Sequence, residues 1–189
     1  MGRSSYCDGV TTASPLPLAR STRFAALAVT LLLLVSCTPE PAPTPTPTPA
    51  FASEEEAFAA AEATYRAYAN ASNATDLRDP QSFEPVFAWL RGDALSAARE
   101  NYAQLHANDM TRTGDTTFDS FTSVSYRDPV VTARLCLDVS RVELVDTNGA
   151  SVVPTDRPSR QPLEVQFIGA KTSSSLAISS TVSTKKLEC

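Results

Sequence analysis

The spacing of apolar residues changes once along the chain, close to Gly114. Ahead of that point, apolar residues recur at steps of three and four, which places them on one face of a helix. The first stretch predicts a helix from Ser53 to about Asn73, because Ser53 followed by Glu56 forms a capping box at its start. The core-facing residues predicted for this helix are Phe58, Ala61, Tyr65, Tyr68 and Ser72.

Two further helical segments are predicted before the spacing changes. Asp79-Pro80 places a proline at the first position of a short second helix. Asp93 is the predicted cap of a third helix, which ends near Asn108. The apolar face of this third helix consists of Leu95, Ala98, Tyr102 and Leu105.

Beyond Gly114, β-branched residues and two-residue alternation predict strands. The predicted strands cover residues 116–126, 130–145, 150–153, 162–170 and 176–182. Alternation is clearest from Val131 to Val139, where every second residue is aliphatic and Cys136 lies on the opposite, polar side. Asn148-Gly149 predicts a tight turn that pairs residues 140–146 with 150–153.

Helices followed by antiparallel strands indicate the α+β class. We predict three N-terminal helices packed on a curved antiparallel sheet of four to five strands. The first-helix stretch AEATYRAY and the hairpin stretch ARLCLDVSRVELVDTNG resemble small secreted or lipid-anchored actinobacterial proteins of the NTF2-like (cystatin-like) fold. This resemblance covers residues 53–189, and it implies a cone in which the helices close the concave side of the sheet and leave a pocket.

A separate apolar run, residues 24–35, follows Arg20 and Arg23 near the start of the chain. It is too short to cross a bilayer, which needs about 20 residues, and its length fits the apolar region of a secretory signal. The run ends in the letters LVSC at residues 34–37, which resemble the lipobox of bacterial lipoproteins. In that family the leader is cut off, here between Ser36 and Cys37, and the cysteine thiol carries a diacylglyceryl group.

The lipobox resemblance implies three parts: a signal peptide over residues 1–36 that is removed, a lipidated Cys37 with a Pro/Thr-rich stalk over 37–52, and a folded domain over 53–189. Residues 38–50 contain six prolines. Proline lacks an N–H and fixes φ, so this segment forms neither helix nor sheet and extends to roughly 40 Å as polyproline II. We expect the protein on the outer face of the cell membrane, held there by its lipid anchor.

The composition of the chain excludes some classes of function. The chain has 189 residues, 16 Lys and Arg against 21 Asp and Glu, and a formal net charge of −5. Nucleic-acid binding needs a basic face, so we expect no nucleic-acid partner. One His and four Cys leave few soft metal ligands, and no phosphate loop, HExxH motif or calcium loop occurs. We therefore expect neither a cofactor nor a metal.

Two cysteines, Cys136 and Cys189, remain after Cys37. Outside the cytoplasmic membrane the compartment permits disulfides. We predict that these two residues are bonded and that the bridge holds the C-terminal tail against the sheet, where closing a loop of this length contributes roughly 4 kcal/mol. The alternative is two unpaired thiols, and a redox role is disfavoured because the chain has no C-x-x-C spacing.

His106 is the only histidine, and Asp109 follows it three residues later on the predicted third helix, so their side chains can meet. NTF2-like enzymes place such a pair in the cone for proton transfer. We expect instead that His106 and Asp109 face water and that the domain is a non-enzymatic binding or accessory module. Its partner is then an envelope protein, a wall polymer or a small hydrophobic ligand. An enzyme using the His/Asp pair and an immunity or exclusion lipoprotein are the alternatives.

Overall fold

The structure is a computed structural model that describes residues 50–189. In this part of the chain the helices are α1 (Glu54–Asn73), α2 (Glu84–Phe87) and α3 (Gly92–Ala107), with a 3-10 turn over Pro80–Phe83 directly before α2. The strands are β1 (Thr111–Thr113), β2 (Thr117–Arg127), β3 (Val130–Asp138), β4 (Glu143–Val145), β5 (Arg160–Gly169) and β6 (Leu176–Ser183). The predicted α+β class is confirmed.

The strands form a four-stranded antiparallel sheet in the order β2-β3-β5-β6 and a separate two-stranded sheet of β1 and β4. The prediction of one strand over residues 130–145 is wrong, because the chain leaves the main sheet after Asp138. The N–H of Ser140 donates to the Asp138 carboxylate at 2.9 Å, and the N–H of Val142 donates to the carbonyl of Val139 at 3.0 Å. These bonds turn the chain, so β4 pairs with β1, a strand that the sequence pattern did not predict.

The hairpin predicted at Asn148-Gly149 is present but short. Gly149 has a φ of 78°, and the N–H of Asp146 donates to the carbonyl of Ala150 at 3.0 Å. Beyond the turn, the predicted strand 150–153 is reduced to a single bridge between Val145 and Ser151.

Helix α1 begins where the sequence predicts. Ser53 is its N-cap, and the Ser53 hydroxyl accepts a hydrogen bond from the N–H of Glu56 at 3.1 Å. The Glu56 carboxylate reaches back one residue further than in a standard capping box and accepts from the N–H of Ala52 at 2.9 Å. Of the predicted core residues, Ala61 and Tyr65 are buried, whereas Phe58, Tyr68 and Ser72 are half-buried.

Helix α3 ends at Asn108 as predicted, but Asp93 does not cap it. The N-cap is Arg91, whose side chain makes no capping bond. Its backbone N–H donates instead to the carbonyl of Ile178 at 2.8 Å, and the N–H of Ile178 donates to the carbonyl of Trp89 at 2.9 Å. The start of α3 is therefore held by the edge of β6 rather than by a side chain within the helix.

The core lies between the helices and one face of the main sheet. Val131, Ala133 and Leu135 of β3 are completely buried, as their alternation predicts. Tyr65 of α1 and Tyr102 of α3 pack into the same cluster. All members of this cluster come from residues 51–178, and residues 50–189 belong to one compact unit. This segment therefore carries its own hydrophobic core.

The predicted signal peptide, Cys37 and most of the predicted stalk lie outside the described residues. Within residues 50–189, no helix has the length and apolar character needed to cross a membrane. Phe51 is buried in the core, where its ring meets the ring of Tyr126 edge-on at 6.2 Å. The N–H of Ala50 donates to the carboxylate of Asp128 at 3.1 Å. The residues just ahead of α1 are thus held at the turn between β2 and β3.

Candidate binding cleft

Two neighbouring cavities lie between the helices and the sheets. The first has a volume of about 320 Å³ and lies among α1, α3 and the small β1–β4 sheet; we name it the arginine lobe, after Arg112 and Arg157 in its lining. The second has a volume of about 450 Å³ and lies among α1, α3 and the ends of β3, β5 and β6; we name it the sheet lobe. Tyr68, Ala98 and Asn101 line both lobes, so the two form one cleft.

The arginine lobe combines an apolar wall with a few polar groups. The wall includes Leu77, Leu105 and Leu144, and the polar groups include the hydroxyls of Tyr68 and Tyr102. No Asp or Glu is found among the described residues that line it. The lobe is therefore apolar and electropositive.

Arg112 on β1 is the central cation of this lobe. It is half-buried, and its backbone position opposite Leu144 in the small sheet directs it towards α1. Its guanidinium donates to the carbonyl oxygen of Ser72, and also to the Ser72 hydroxyl at 3.4 Å. The same hydroxyl lies 3.1 Å from the hydroxyl of Tyr102.

The charge of Arg112 has no acidic partner within residues 50–189, where the ion pairs involve other basic residues. Arg134 provides the contrast, because its guanidinium lies 2.9 Å from the carboxylate of Glu164. Taking a cation out of water without a counter-ion is unfavourable. Arg112 is thus a half-buried positive charge that only neutral oxygens of this segment contact.

Arg157 borders the same lobe but is engaged with the backbone. Its guanidinium donates to the carbonyl oxygens of Val139 at 3.0 Å and Val142 at 2.8 Å. These bonds close the turn between β3 and β4. Arg157 therefore has a structural role in shaping the lobe and adds a second positive charge at its edge.

The phenol of Tyr68 is a neutral hydrogen-bond donor in the cleft. Burial raises the pKa of Tyr68 to about 12; the neighbouring Tyr102 adds to this effect, while the positive charge of Arg112 opposes it. Burial also raises the pKa of Tyr65, which lines the sheet lobe. Within the described part of the chain the Tyr68 hydroxyl has no hydrogen-bond partner, so it is available to a ligand.

The sheet lobe is less polar. Its lining includes Tyr65, Leu137, Leu163 and Val182, with one carboxylate, that of Asp93. Val182 is 54% exposed, a high value for an aliphatic side chain at the end of a strand. This lobe provides an apolar extension of the arginine lobe past Tyr68.

The structure does not bring His106 and Asp109 together as a catalytic pair. Nδ1 of His106 lies 2.8 Å from the carbonyl oxygen of Leu77, and its ring meets that of Phe83 edge-on at 6.2 Å. Asp109 is exposed beyond the end of α3 with a φ of 51°. The expectation that both face water is wrong for His106, which is half-buried because it holds the segment after α1 against α3. Neither residue lines the two lobes.

The predicted bond between Cys136 and Cys189 is present, with their Cα atoms 5.7 Å apart. Arg160 reinforces it, since its Nε donates to the carbonyl oxygen of Cys189 at 3.0 Å and its terminal nitrogen contacts the Asp119 carboxylate at 2.6 Å. The disulfide and Arg160 fix the tail on the face of the main sheet that is turned away from the helices. Across residues 50–189, no group of three or more metal-ligating side chains is assembled.

The sequence predicts only some of the residues that line the cleft. Tyr68 and Tyr102 were predicted as core residues, and each both packs in the core and borders the cleft. Arg112 and Arg157 were not predicted, because their position in the cleft depends on where the small sheet and the following loop lie in the fold. No local pattern in the sequence signals that placement.

No family model matches this chain, and no curated protein matches it. Solved structures with a similar chain path include a protein from Novosphingobium aromaticivorans assigned as an aromatic ring hydroxylase, with a TM-score of 0.46, 14% identity and coverage of 70% of this chain and 96% of the other. The intermembrane space region of the chloroplast protein ARC6 has a TM-score of 0.44 and 18% identity, covering 65% and 92%. The VirB8 protein of Agrobacterium tumefaciens has a TM-score of 0.36 and 12% identity, covering 77% and 99%. These are likenesses of shape, and nothing about the function of this chain is taken from them.

Proposed function

We propose that this protein is a lipid-anchored binding protein on the outer face of the cell membrane, with an NTF2-like domain that holds a small ligand without catalysing a reaction. The observation that carries the binding function is the two-lobed cleft. Small-molecule sites are typically concave, about 300–1,000 Å³ in volume, and mostly apolar with a few convergent polar groups. The arginine lobe, at about 320 Å³ with Arg112 and two tyrosine hydroxyls in an apolar wall, fits that description.

The NTF2-like assignment is supported by the arrangement of elements. Helices α1 and α3 pack on one face of an antiparallel sheet, and a cavity remains between the two layers. This is the arrangement that the resemblance of the sequence implies for a cone.

The non-enzymatic assignment is supported by the environment of the single histidine. A general base needs a free nitrogen within reach of its substrate. Nδ1 of His106 bonds to the Leu77 carbonyl, and Nε2 has no contact with the cleft because the residue lies outside both lobes. The cleft itself offers Arg112, Asn101 and tyrosine hydroxyls, which are groups suited to holding a ligand.

The position of the cleft is compatible with a tether. Ala50 and Phe51 are held at the β2–β3 turn, whereas Leu137 and Leu163 line the cleft from the opposite end of β3 and its partner strand. Ala50, the first described residue, therefore lies at the end of β3 remote from the cleft.

The anchor is tested by Cys37→Ala. A single acyl chain holds a protein only marginally, so the two chains of a diacylglyceryl group are needed for lasting attachment. We expect the wild-type protein to incorporate labelled palmitate and to fractionate with membranes, and the variant to do neither. Cys7→Ala is the matched control, because it removes a cysteine outside the lipobox and should leave labelling intact. Unchanged labelling of Cys37→Ala would overturn the anchor.

The binding function is tested by filling the cleft. Ala98 lines both lobes, so Ala98→Trp should block them, whereas Ala59→Trp on the exposed face of α1 should not. The neutral apolar dye N-phenyl-1-naphthylamine is titrated into the chain from Thr38 to Cys189. We expect saturable fluorescence enhancement for the wild type and Ala59→Trp, and its loss for Ala98→Trp. Equal enhancement in all three proteins would exclude the cleft as the binding site.

A further inference from the structure

We propose that the cleft selects an amphipathic carboxylate, with the carboxylate group on Arg112 and a linear acyl chain along the apolar wall towards the sheet lobe. This inference rests on the proposed binding function and adds the chemical class of the ligand.

The positive charge of Arg112 is uncompensated. Arg112 is half-buried in a lobe whose described lining contains no Asp or Glu, and it forms no ion pair within residues 50–189. A bound anion would restore the missing counter-charge in a site partly shielded from water, where charge-assisted hydrogen bonds are strong. A neutral or cationic ligand of the same shape would not supply this counter-charge.

The donors of Arg112 are arranged to receive a carboxylate. A guanidinium has five N–H donors, and Ser72 takes two of those of Arg112. These two bonds fix the guanidinium plane against α1 and leave donors for a carboxylate, which arginine binds in a bidentate manner. The Tyr68 hydroxyl borders the same lobe without a partner among the described residues, and it can donate a further bond to the anion.

The size and charge of the site favour a single carboxylate over a polyanion. Arg157 donates to the carbonyls of Val139 and Val142 and closes the β3–β4 turn, whereas Arg112 lies beside the phenols of Tyr68 and Tyr102, so the carboxylate is assigned to Arg112. The chain as a whole carries a formal net charge of −5, which repels a polyanion at long range. A single negative group on an apolar body experiences much less of that repulsion and matches the wall formed by Leu77, Leu105 and Leu144.

The two lobes form a continuous path for a linear chain. Tyr68, Ala98 and Asn101 line both cavities, so a linear chain anchored at Arg112 can pass Ala98 into the sheet lobe. There it meets Leu137 and Leu163. A flexible acyl chain suits this two-lobed shape better than a rigid, bulky ring system.

The experiment compares three probes of equal chain length: decanoate, 1-decanol and decyltrimethylammonium. Each is titrated calorimetrically, below its aggregation limit, into the chain from Thr38 to Cys189. We expect decanoate to bind at least about tenfold more tightly than 1-decanol, and the cation to bind more weakly than both. Raising the salt concentration should weaken decanoate binding and leave 1-decanol binding unchanged.

Variants then locate the carboxylate. Arg112→Gln should lower decanoate affinity by about tenfold or more and leave 1-decanol affinity unchanged. Arg66→Gln is the matched control, because Arg66 is exposed on α1 and pairs with Glu62. Tyr68→Phe keeps the Arg112–Ser72 bonds and should lower decanoate affinity alone by a smaller factor. Thermal unfolding of each variant separates loss of binding from loss of fold.

The outcomes distinguish the ligand class from the binding function. If decanoate and 1-decanol bind equally and Tyr68→Phe and Arg112→Gln change neither, the carboxylate assignment is wrong while cleft binding stands. If none of the three amphipaths binds and the neutral dye also fails to bind, both the ligand class and the proposed function are wrong.

Discussion

The side-chain amide of Asn73 forms two hydrogen bonds with the backbone of Thr116. Nδ2 donates to the Thr116 carbonyl oxygen at 2.8 Å, and the Thr116 N–H donates to Oδ1 at 3.0 Å. Asn73 is the last residue of α1, and Thr116 directly precedes β2. The pair therefore joins the helical half of the domain to the first strand of the main sheet.

Asn73→Asp is expected to lower the free energy of unfolding by about 1–3 kcal/mol, because a carboxylate oxygen then replaces the donor that faces the Thr116 carbonyl. Urea unfolding followed by circular dichroism measures the effect. Asn70→Asp is the control, since Asn70 is exposed on the same helix and lies one turn earlier. Equal losses in the two variants would show that the Asn73–Thr116 pair contributes nothing specific.

Alanine substitutions at Gly114 and Gly149 distinguish the cost of a left-handed backbone from the cost of steric overlap. Their φ angles are 77° and 78°, so an alanine at either position pays the same cost of about 1–2 kcal/mol for a left-handed conformation. A methyl group at Gly114 would also overlap the carbonyl oxygen of Arg141, whereas nothing lies within 4 Å at Gly149. We expect Gly114→Ala to lower the thermal midpoint far more than Gly149→Ala. Similar midpoints would mean that the backbone of the β1–β4 region shifts to accommodate the methyl group with no loss of stability.

Local signals explain why the helical half was predicted well. Ser53 with Glu56, Asp79 with Pro80, and the apolar steps of α1 and α3 act within a few residues of each other, so the sequence alone reveals them. Asp93 failed as a cap because pairing between Arg91 and Ile178, which are distant in sequence, decides where α3 starts.

In the β half of the domain, hydrophobic alternation does not predict where a strand ends. Hydrophobic alternation continues from Val131 through Val139, but the strand ends at Asp138 because its carboxylate accepts the N–H of Ser140. The close approach of Gly114 to Arg141 then places β4 beside β1. The position of Arg112 in the cleft follows from this second sheet, and tertiary contacts of that kind leave no periodic trace in the sequence.

His106 and Asp109 are expected to affect stability rather than chemistry. His106→Ala removes the contact with the Leu77 carbonyl and the packing on Phe83, and should lower the free energy of unfolding by about 1–2 kcal/mol. Asp109 has a φ of 51°, so Asp109→Gly should be more stable than Asp109→Ala by about 1 kcal/mol. Both measurements use urea unfolding. A variant at either position that abolished biological activity without changing stability would favour the enzyme alternative.

Alkaline pH tests the half-buried phenol of Tyr68. Its pKa is raised by burial to about 12, from an ordinary value of 10.0, so the unfolded chain loses this proton first as the pH rises. The stabilisation is therefore fully present below pH 10 and is lost between about pH 10 and 12. Tyr68→Phe lacks the titrating group, and its free energy of unfolding should fall less between pH 9 and pH 11 than that of the wild type. Equal losses of the free energy of unfolding in the two proteins would indicate that the Tyr68 phenol is exposed to water.

The disulfide ties the end of the chain to the middle of the main sheet. Cys136 is completely buried on β3, and its partner Cys189 lies 53 residues later. Closing a loop of that length removes freedom from the unfolded chain and is worth about 4 kcal/mol on the chain-entropy estimate, with native bridges typically contributing about 2–4 kcal/mol. Arg160 holds the same tail through the carbonyl oxygen of Cys189.

Cys189→Ser is therefore expected to lower the thermal midpoint of the chain from Thr38 to Cys189 by several degrees, as a loss of about 2–4 kcal/mol implies for a domain of this size. Arg160→Gln keeps the bridge and removes the hydrogen bonds to the tail and to Asp119 together with the ion pair with Asp138, so its midpoint should fall by less. Mass spectrometry of a non-reduced digest should recover one linked peptide pair, joining Cys136 to Cys189. Two titratable thiols in the folded, air-exposed protein would refute the bridge, and the hydrogen bond from Arg160 on β5 would then be the remaining contact of Cys189.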